Sequence, residues 1–171
     1  MARVRLWVVV GILVFGSTSV EMKAQSPDDT AKQLVGMWRL VSSPQRLADG
    51  TTRQGQMSVA YIIYTDTNPV RMCAVLMDPN RPKWKTPTIP TADEAVSGIN
   101  GLSAYCGTVE VHAKEGFVLH HVEIEKRPDF VGRTRKRWFT FEGPNRVTLR
   151  VDPAELSPPT VESTFVWERV Q

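Results

Sequence analysis

From Met37 to Val170 the chain repeats short runs rich in β-branched, aromatic and aliphatic residues, many of them alternating apolar with polar. The runs cover 37–43, 57–65, 70–77, 103–112, 117–125, 133–142, 146–152 and 161–170. Turn formers separate them at Asp49-Gly50, Thr67-Asn68-Pro69, Lys114-Glu115-Gly116, Gly143-Pro144-Asn145 and Ser157-Pro158-Pro159. A period of two between turn signals reads as β-strands, because successive side chains of an extended chain point to opposite sides. The pattern therefore predicts eight strands.

Two segments depart from this rhythm. Ser26-Pro27-Asp28-Asp29 opens a short helix: serine caps it, proline suits its first position and the two carboxylates favour its positive end, with Gly36 as a stop. Residues 78–102 are rich in proline and then carry Thr91-Ala92-Asp93-Glu94, a capping box that predicts a helix from about Ala92 to Ile99. This loop and helix form an insertion between the third and fourth strands.

Antiparallel strands joined by short turns satisfy their edges most simply by closing on themselves. The expected fold is all-β, an eight-stranded antiparallel up-and-down barrel, whose interior side chains can fill or one small ligand can occupy. An immunoglobulin-type sandwich competes, but its cysteine–tryptophan–cysteine signature is absent.

Arg3 and Arg5 precede an apolar run from Leu6 to Phe15, followed by small and polar residues. That run is too short to span a bilayer of about 30 Å and reads as a secretory signal over residues 1–24, with cleavage after Ala24 or Ser19. The expected mature domain, 25–171, is periplasmic or secreted, with no transmembrane domain after cleavage. Removing residues 1–24 takes away Arg3, Arg5, Lys23 and Glu21, leaving 18 Lys+Arg against 17 Asp+Glu, a net charge of +1. A nearly neutral domain of 147 residues argues against nucleic acid as a partner. In an oxidising compartment Cys73 and Cys106 either form one disulfide or remain two separate buried thiols. No phosphate loop, nucleophile motif or zinc or calcium spacing is present, and nothing calls for a cofactor.

Alternation sorts the chemistry. Along 118–125, Val118, His120, Val122 and Ile124 share the face expected to point inward, while Leu119, His121, Glu123 and Glu125 face water. The adjacent histidines thus point apart and cannot grip one metal. Taking Phe139 and Phe141 as inward brings Arg137 inside, with Arg135 on the same side. Tyr105 projects inward with Gly107, Val109 and Val111, and Met72 shares a face with Ala74 and Leu76, which leaves Cys73 and Cys106 outside. Tyr105, His120 and Arg137, with Phe139, Met72 and Val122 as apolar walls, make a candidate small-molecule site. The competing reading is a satisfied internal hydrogen-bond network without a ligand. Trp84, in the proline-rich segment, either borders an entrance or anchors its loop.

Gly36-Met37-Trp38 looks like the glycine-x-tryptophan opening of a lipocalin first strand. With "AYIIYT" (60–65), "RMCAVLMDPNRP" (71–82), "AYCGTVEVH" (104–112), "VLHHVE" (118–123), "VGRTRKRWF" (131–139) and "VWERV" (166–170), the mature chain resembles the bacterial lipocalin-like domain family of the calycin superfamily. The resemblance implies a barrel with an internal pocket, in which Trp38 closes one end and Arg169 packs on it, both structural. Cys73 and Cys106 depart from it, standing where a serine and an aromatic residue are common.

The leading expectation is an exported protein that binds one small hydrophobic molecule inside the barrel. The alternative is an isomerase or cyclase using the same pocket, with His120 as acid or base and Tyr105 and Arg137 holding an oxyanion. A third class, docking through an outer face bearing Arg71, Lys136 and Trp138, ranks last. The sequence leaves the oligomeric state open.

Overall fold

The computed structural model describes residues 27–85 and 88–171. The expected signal, its cleavage point and the Ser26 cap lie outside them. The elements are α1 (Pro27–Leu34), β1 (Gly36–Ser42), β2 (Pro44–Leu47), β3 (Thr52–Gln54), β4 (Val59–Tyr64), β5 (Arg71–Met77), α2 (Ala92–Asn100), β6 (Leu102–His112), β7 (Phe117–Glu125), β8 (Thr134–Phe141), β9 (Arg146–Val151) and β10 (Thr160–Arg169). Among the described residues no helix is long and apolar enough to cross a membrane.

All eight predicted runs form strands, and neighbours in sequence pair antiparallel around a ring that β1 and β10 close, with Trp38 opposite Arg169. The short, polar β2 and β3 were expected as a loop around Asp49-Gly50. They instead form a hairpin on the first half of β10, while β1 takes the second half. Hairpin registration here comes from pairing with β10, since Thr52–Gln54 is exposed throughout and carries no apolar stripe.

One end of the barrel is sealed. α1 ends at Leu34, whose carbonyl accepts a hydrogen bond from the fully buried Trp38 Nε1 at 2.8 Å. The Arg169 guanidinium lies 4.1 Å over the Trp38 ring and donates to the carbonyls of Gln33, Val35 and Pro144. It thereby satisfies the last turn of α1 and the start of β1, and its contact with the indole contributes about 0.5–2 kcal/mol. Gly36 is required at this point: its φ is 125°, and a Cβ there would lie 2.6 Å from the Arg169 guanidinium. The glycine-x-tryptophan motif is thus one half of a plug completed by the final strand.

The core above this plug is Ile62, Tyr64, Met72, Ala74, Val118, Val122, Val147, Leu149 and Trp167, all inward by alternation. Alternation fails in β7, where it matters to the open end. Cys106 pairs with Ile124 but Gly107 with Val122, so Glu123 is an inserted, bulged residue. Ile124, expected inside, is 66% exposed, and Glu125, expected in water, has a side chain only 1% exposed. Gly107 permits the bulge, because a Cβ there would fall 1.8 Å from the His121 carbonyl oxygen.

Cys73 and Cys106 face each other across β5 and β6 on the outer wall and are joined by a disulfide. Closing a loop of that length stabilises by about 3–4 kcal/mol in the chain-entropy view. The capping box forms as expected: Thr91 and Glu94 satisfy each other's backbone N–H groups, and Glu94 also accepts from the Lys85 N–H, tying the proline-rich segment to α2.

Gly107→Ala is expected to remove about 1–3 kcal/mol of stability, since the added methyl has no room without straightening the bulge. Urea unfolding of the purified variant measures this; an unchanged midpoint would show that β6 and β7 do not meet as closely as described.

Candidate functional site

The end opposite the plug is open, and its polar groups come from strands whose inward faces end there. β6 delivers Tyr105, β8 delivers Arg135 and Arg137, and the β7 bulge turns Glu125 in beside them. After β9, Asp152 caps a 3₁₀ turn, Pro153–Glu155, by accepting from the Ala154 N–H at 2.9 Å. That turn sets Glu155 over the mouth.

Each arginine is matched. Arg135 donates to Glu125 at 2.6 Å, with both side chains largely buried, and Arg137 donates to Glu155 at 2.7 Å. The Arg135 guanidinium also lies 4.5 Å over the Tyr105 ring. Buried guanidinium groups need such partners, because an unpaired charge inside a barrel costs several kcal/mol.

Behind them runs a chain of three rings. His120, wholly buried, meets the Tyr64 hydroxyl at Nε2 (3.0 Å) and the Tyr105 hydroxyl at Nδ1 (3.1 Å). Burial, reinforced by the Arg137 and Arg135 charges, holds the imidazole well below its usual pKa, so it is neutral near pH 7. Burial also pushes the hydroxyls of Tyr64 and Tyr105 up, keeping both protonated. His121 points outward, 3.0 Å from Thr134 and 3.3 Å from Glu110.

Two connected spaces lie at the mouth. A throat of about 60 Å³ is walled by Ile62, Ala74, Leu76, Leu149, Phe165 and Trp167, with Tyr105, Arg135 and Arg137 at its side. A cleft of about 580 Å³ opens outside it, sharing Leu76, Ser103, Arg135 and Phe165 and lined further by Ser43, Gln45, Arg53, Gln54 and Gln56. The throat is apolar and the cleft polar. Three buried donors here have no partner among the described residues: Arg135 Nε, Trp167 Nε1 and Ser43 Oγ.

Of the residues expected to line a site, Tyr105 and Arg137 border the throat. Met72, Val122 and His120 are sealed in the core and border neither space, and Phe139 packs partly buried against Phe141. Alternation along Ala60–Tyr64 could have revealed Tyr64. Glu125 was hidden by the bulge, and Glu155 lay in a turn segment whose only signal was Asp152-Pro153. Trp84 borders neither throat nor cleft; it lines a separate hollow of about 770 Å³ between the proline-rich segment and α2. That hollow is larger than the cleft, but among the described residues none with an unpartnered buried donor lines it, so the mouth is the stronger candidate.

The profile described as a lipocalin-like domain matches residues 35–170. No curated protein matches the sequence. Two solved structures similar to this chain are engineered: a redesigned β-barrel, 13% identical over 82% of this chain and 95% of its own (TM-score 0.42), and a de novo designed fluorescence-activating β-barrel, 14% identical over 83% and 98% (TM-score 0.44).

Because His120 is neutral when folded, the unfolded chain binds one more proton below its reference pKa of about 6.5. Stability therefore falls as pH drops below about 6.5, by up to about 1.4 kcal/mol per pH unit from this group. Denaturant unfolding from pH 7.5 to 5 is expected to show this slope in the natural chain and to lack that component in His120→Gln.

Proposed function

This chain belongs to the lipocalin-like domain family, which supports a ligand-binding barrel, and from that premise we propose that it is an exported carrier of one small molecule held at the open end. Its apolar part fills the throat against Leu149, Phe165 and Trp167, and oxygen acceptors meet the donors around them. The polar remainder lies in the cleft among Gln45, Gln54 and Gln56. The observation that carries this reading is that three residues with buried unpartnered donors, Arg135 (Nε), Trp167 (Nε1) and Ser43 (Oγ), all border these two spaces. An unsatisfied buried donor costs about 1–3 kcal/mol, which an acceptor on a bound molecule recovers. The cysteine pair on the outer wall supports export, since such bonds persist in oxidising compartments.

Native mass spectrometry of the mature protein after exposure to an extract of its own cells tests the reading. One molecule retained with unchanged mass is the expected result, and no saturable retention would end it. For that molecule, Arg135→Lys keeps the charge beside Glu125 but removes the Nε–H, so calorimetric titration should give about tenfold weaker binding, or 1.4 kcal/mol.

Export has its own test. Expression of the full chain in a bacterial host should yield a periplasmic or secreted product beginning after Ala24 or Ser19, read by N-terminal sequencing, with Cys73 and Cys106 unreactive to alkylation until reduced. A cytoplasmic product retaining Met1 would overturn it.

A further inference from the structure

Tyr64 decides what Tyr105 can offer a ligand. The neutral imidazole of His120 carries a single N–H, at Nδ1 or at Nε2. Tyr64 Oη, fully buried, has His120 Nε2 as its only partner among the described residues. If Nε2 held the hydrogen, Tyr64 would accept it and leave its own O–H stranded in the core. With Nε2 bare, Tyr64 donates to it, and the O–H left without an acceptor is that of Tyr105, a residue at the throat, instead of that of Tyr64 in the core. The hydrogen then sits on Nδ1 and is donated to Tyr105 Oη, so the Tyr105 O–H cannot be spent on His120. Tyr105 borders the throat, and its hydroxyl has no other partner among the described residues.

We infer that Tyr64 holds His120 in its Nδ1–H form, so that Tyr105 acts as an obligate donor and the throat selects a neutral acceptor, of the ketone, ester or lactone carbonyl class. This rests on the binding role proposed above and extends it to ligand class. Two residues lining the throat carry buried donors without a partner, Trp167 Nε1 and Arg135 Nε, and the Tyr105 O–H joins them, while the Ser103 hydroxyl can donate or accept. A group offering only N–H or O–H hydrogens leaves these three donors unmet. A carboxylate fares poorly for a different reason. Glu125 and Glu155 already neutralise Arg135 and Arg137, so an added anion would be buried beside two carboxylates without a free cation in the throat. The volume of about 60 Å³ suits a carbonyl and its nearest carbons, with the rest of the molecule in the cleft.

The hydrogen position is read without any ligand. Long-range ¹H–¹⁵N spectra of the uniformly labelled mature protein at pH 7 are expected to show His120 protonated at Nδ1 and bare at Nε2. An Nε2–H form or an imidazolium would overturn the inference. In Tyr64→Phe the preference should relax towards Nε2–H, a change that simple loss of packing would not produce; an unchanged Nδ1–H form would show that Tyr64 does not set it.

Ligand class is read with methyl 3-phenylpropanoate, 3-phenylpropanoate and 3-phenylpropylamine, titrated separately by ligand-observed NMR. The ester is expected to bind at least tenfold tighter than either ion, and to lose about tenfold in Tyr105→Phe. Equal or tighter binding of the carboxylate, or binding of none of the three, overturns the neutral-acceptor class. The carrier reading itself falls only if the cell-extract experiment also retains nothing, so the two failures are distinguishable.

Discussion

The ion pair between Arg135 and Glu125 joins two side chains that have almost left water, at a point where β7 must break its pleat to bring them together. Removing one partner from such a pair leaves a buried charge and costs about 3–5 kcal/mol. That penalty makes the surrounding geometry compulsory. Glu125 can face inward only because Glu123 is inserted in β7, and the insertion is possible only because Gly107 leaves room for the His121 carbonyl. Arg135 in turn lies over Tyr105, and its neighbour Arg137 is matched by Glu155 from a capped turn beyond the ring. The mouth is therefore polar without carrying net charge from these four groups.

The two ends of the barrel divide the work. At the sealed end Arg169, Trp38 and Gly36 bind the last strand, the first strand and α1 into one plug. Between plug and mouth, the Tyr64–His120–Tyr105 chain passes through the core with both imidazole nitrogens engaged. A neutral histidine so enclosed serves orientation, fixing two tyrosine side chains, one of which, Tyr105, borders the throat. At the open end the exposed β2–β3 hairpin overhangs the cleft with little apolar burial of its own. Segments with few buried contacts open at low free energy, which suits the rim of a binding space.

Much of this was legible in the chain. The eight strands, the helix capped by Thr91, the inward turn of Tyr105, His120 and Arg137 and the outward placement of both cysteines follow from a period of two and a capping motif. Glu125 and Ile124 were misplaced because one inserted residue reverses the alternation after it, and no local signal marks the insertion. The polar β2–β3 hairpin went unseen because its pairing depends on β10, more than a hundred residues away. Met72, Val122 and His120 were correctly turned inward, yet pointing inward does not distinguish a packed layer from a cavity wall.

By itself the sequence determined which elements exist and which side chains share a face, because hydrophobic period, turn chemistry and capping act over a few residues. Ring closure, the position of the bulge, the matching of two arginines to two distant carboxylates and the line between solid core and open throat were decided only by the tertiary structure. Those features depend on how strands far apart in the chain register against one another, and on which buried polar groups they bring within hydrogen-bonding reach.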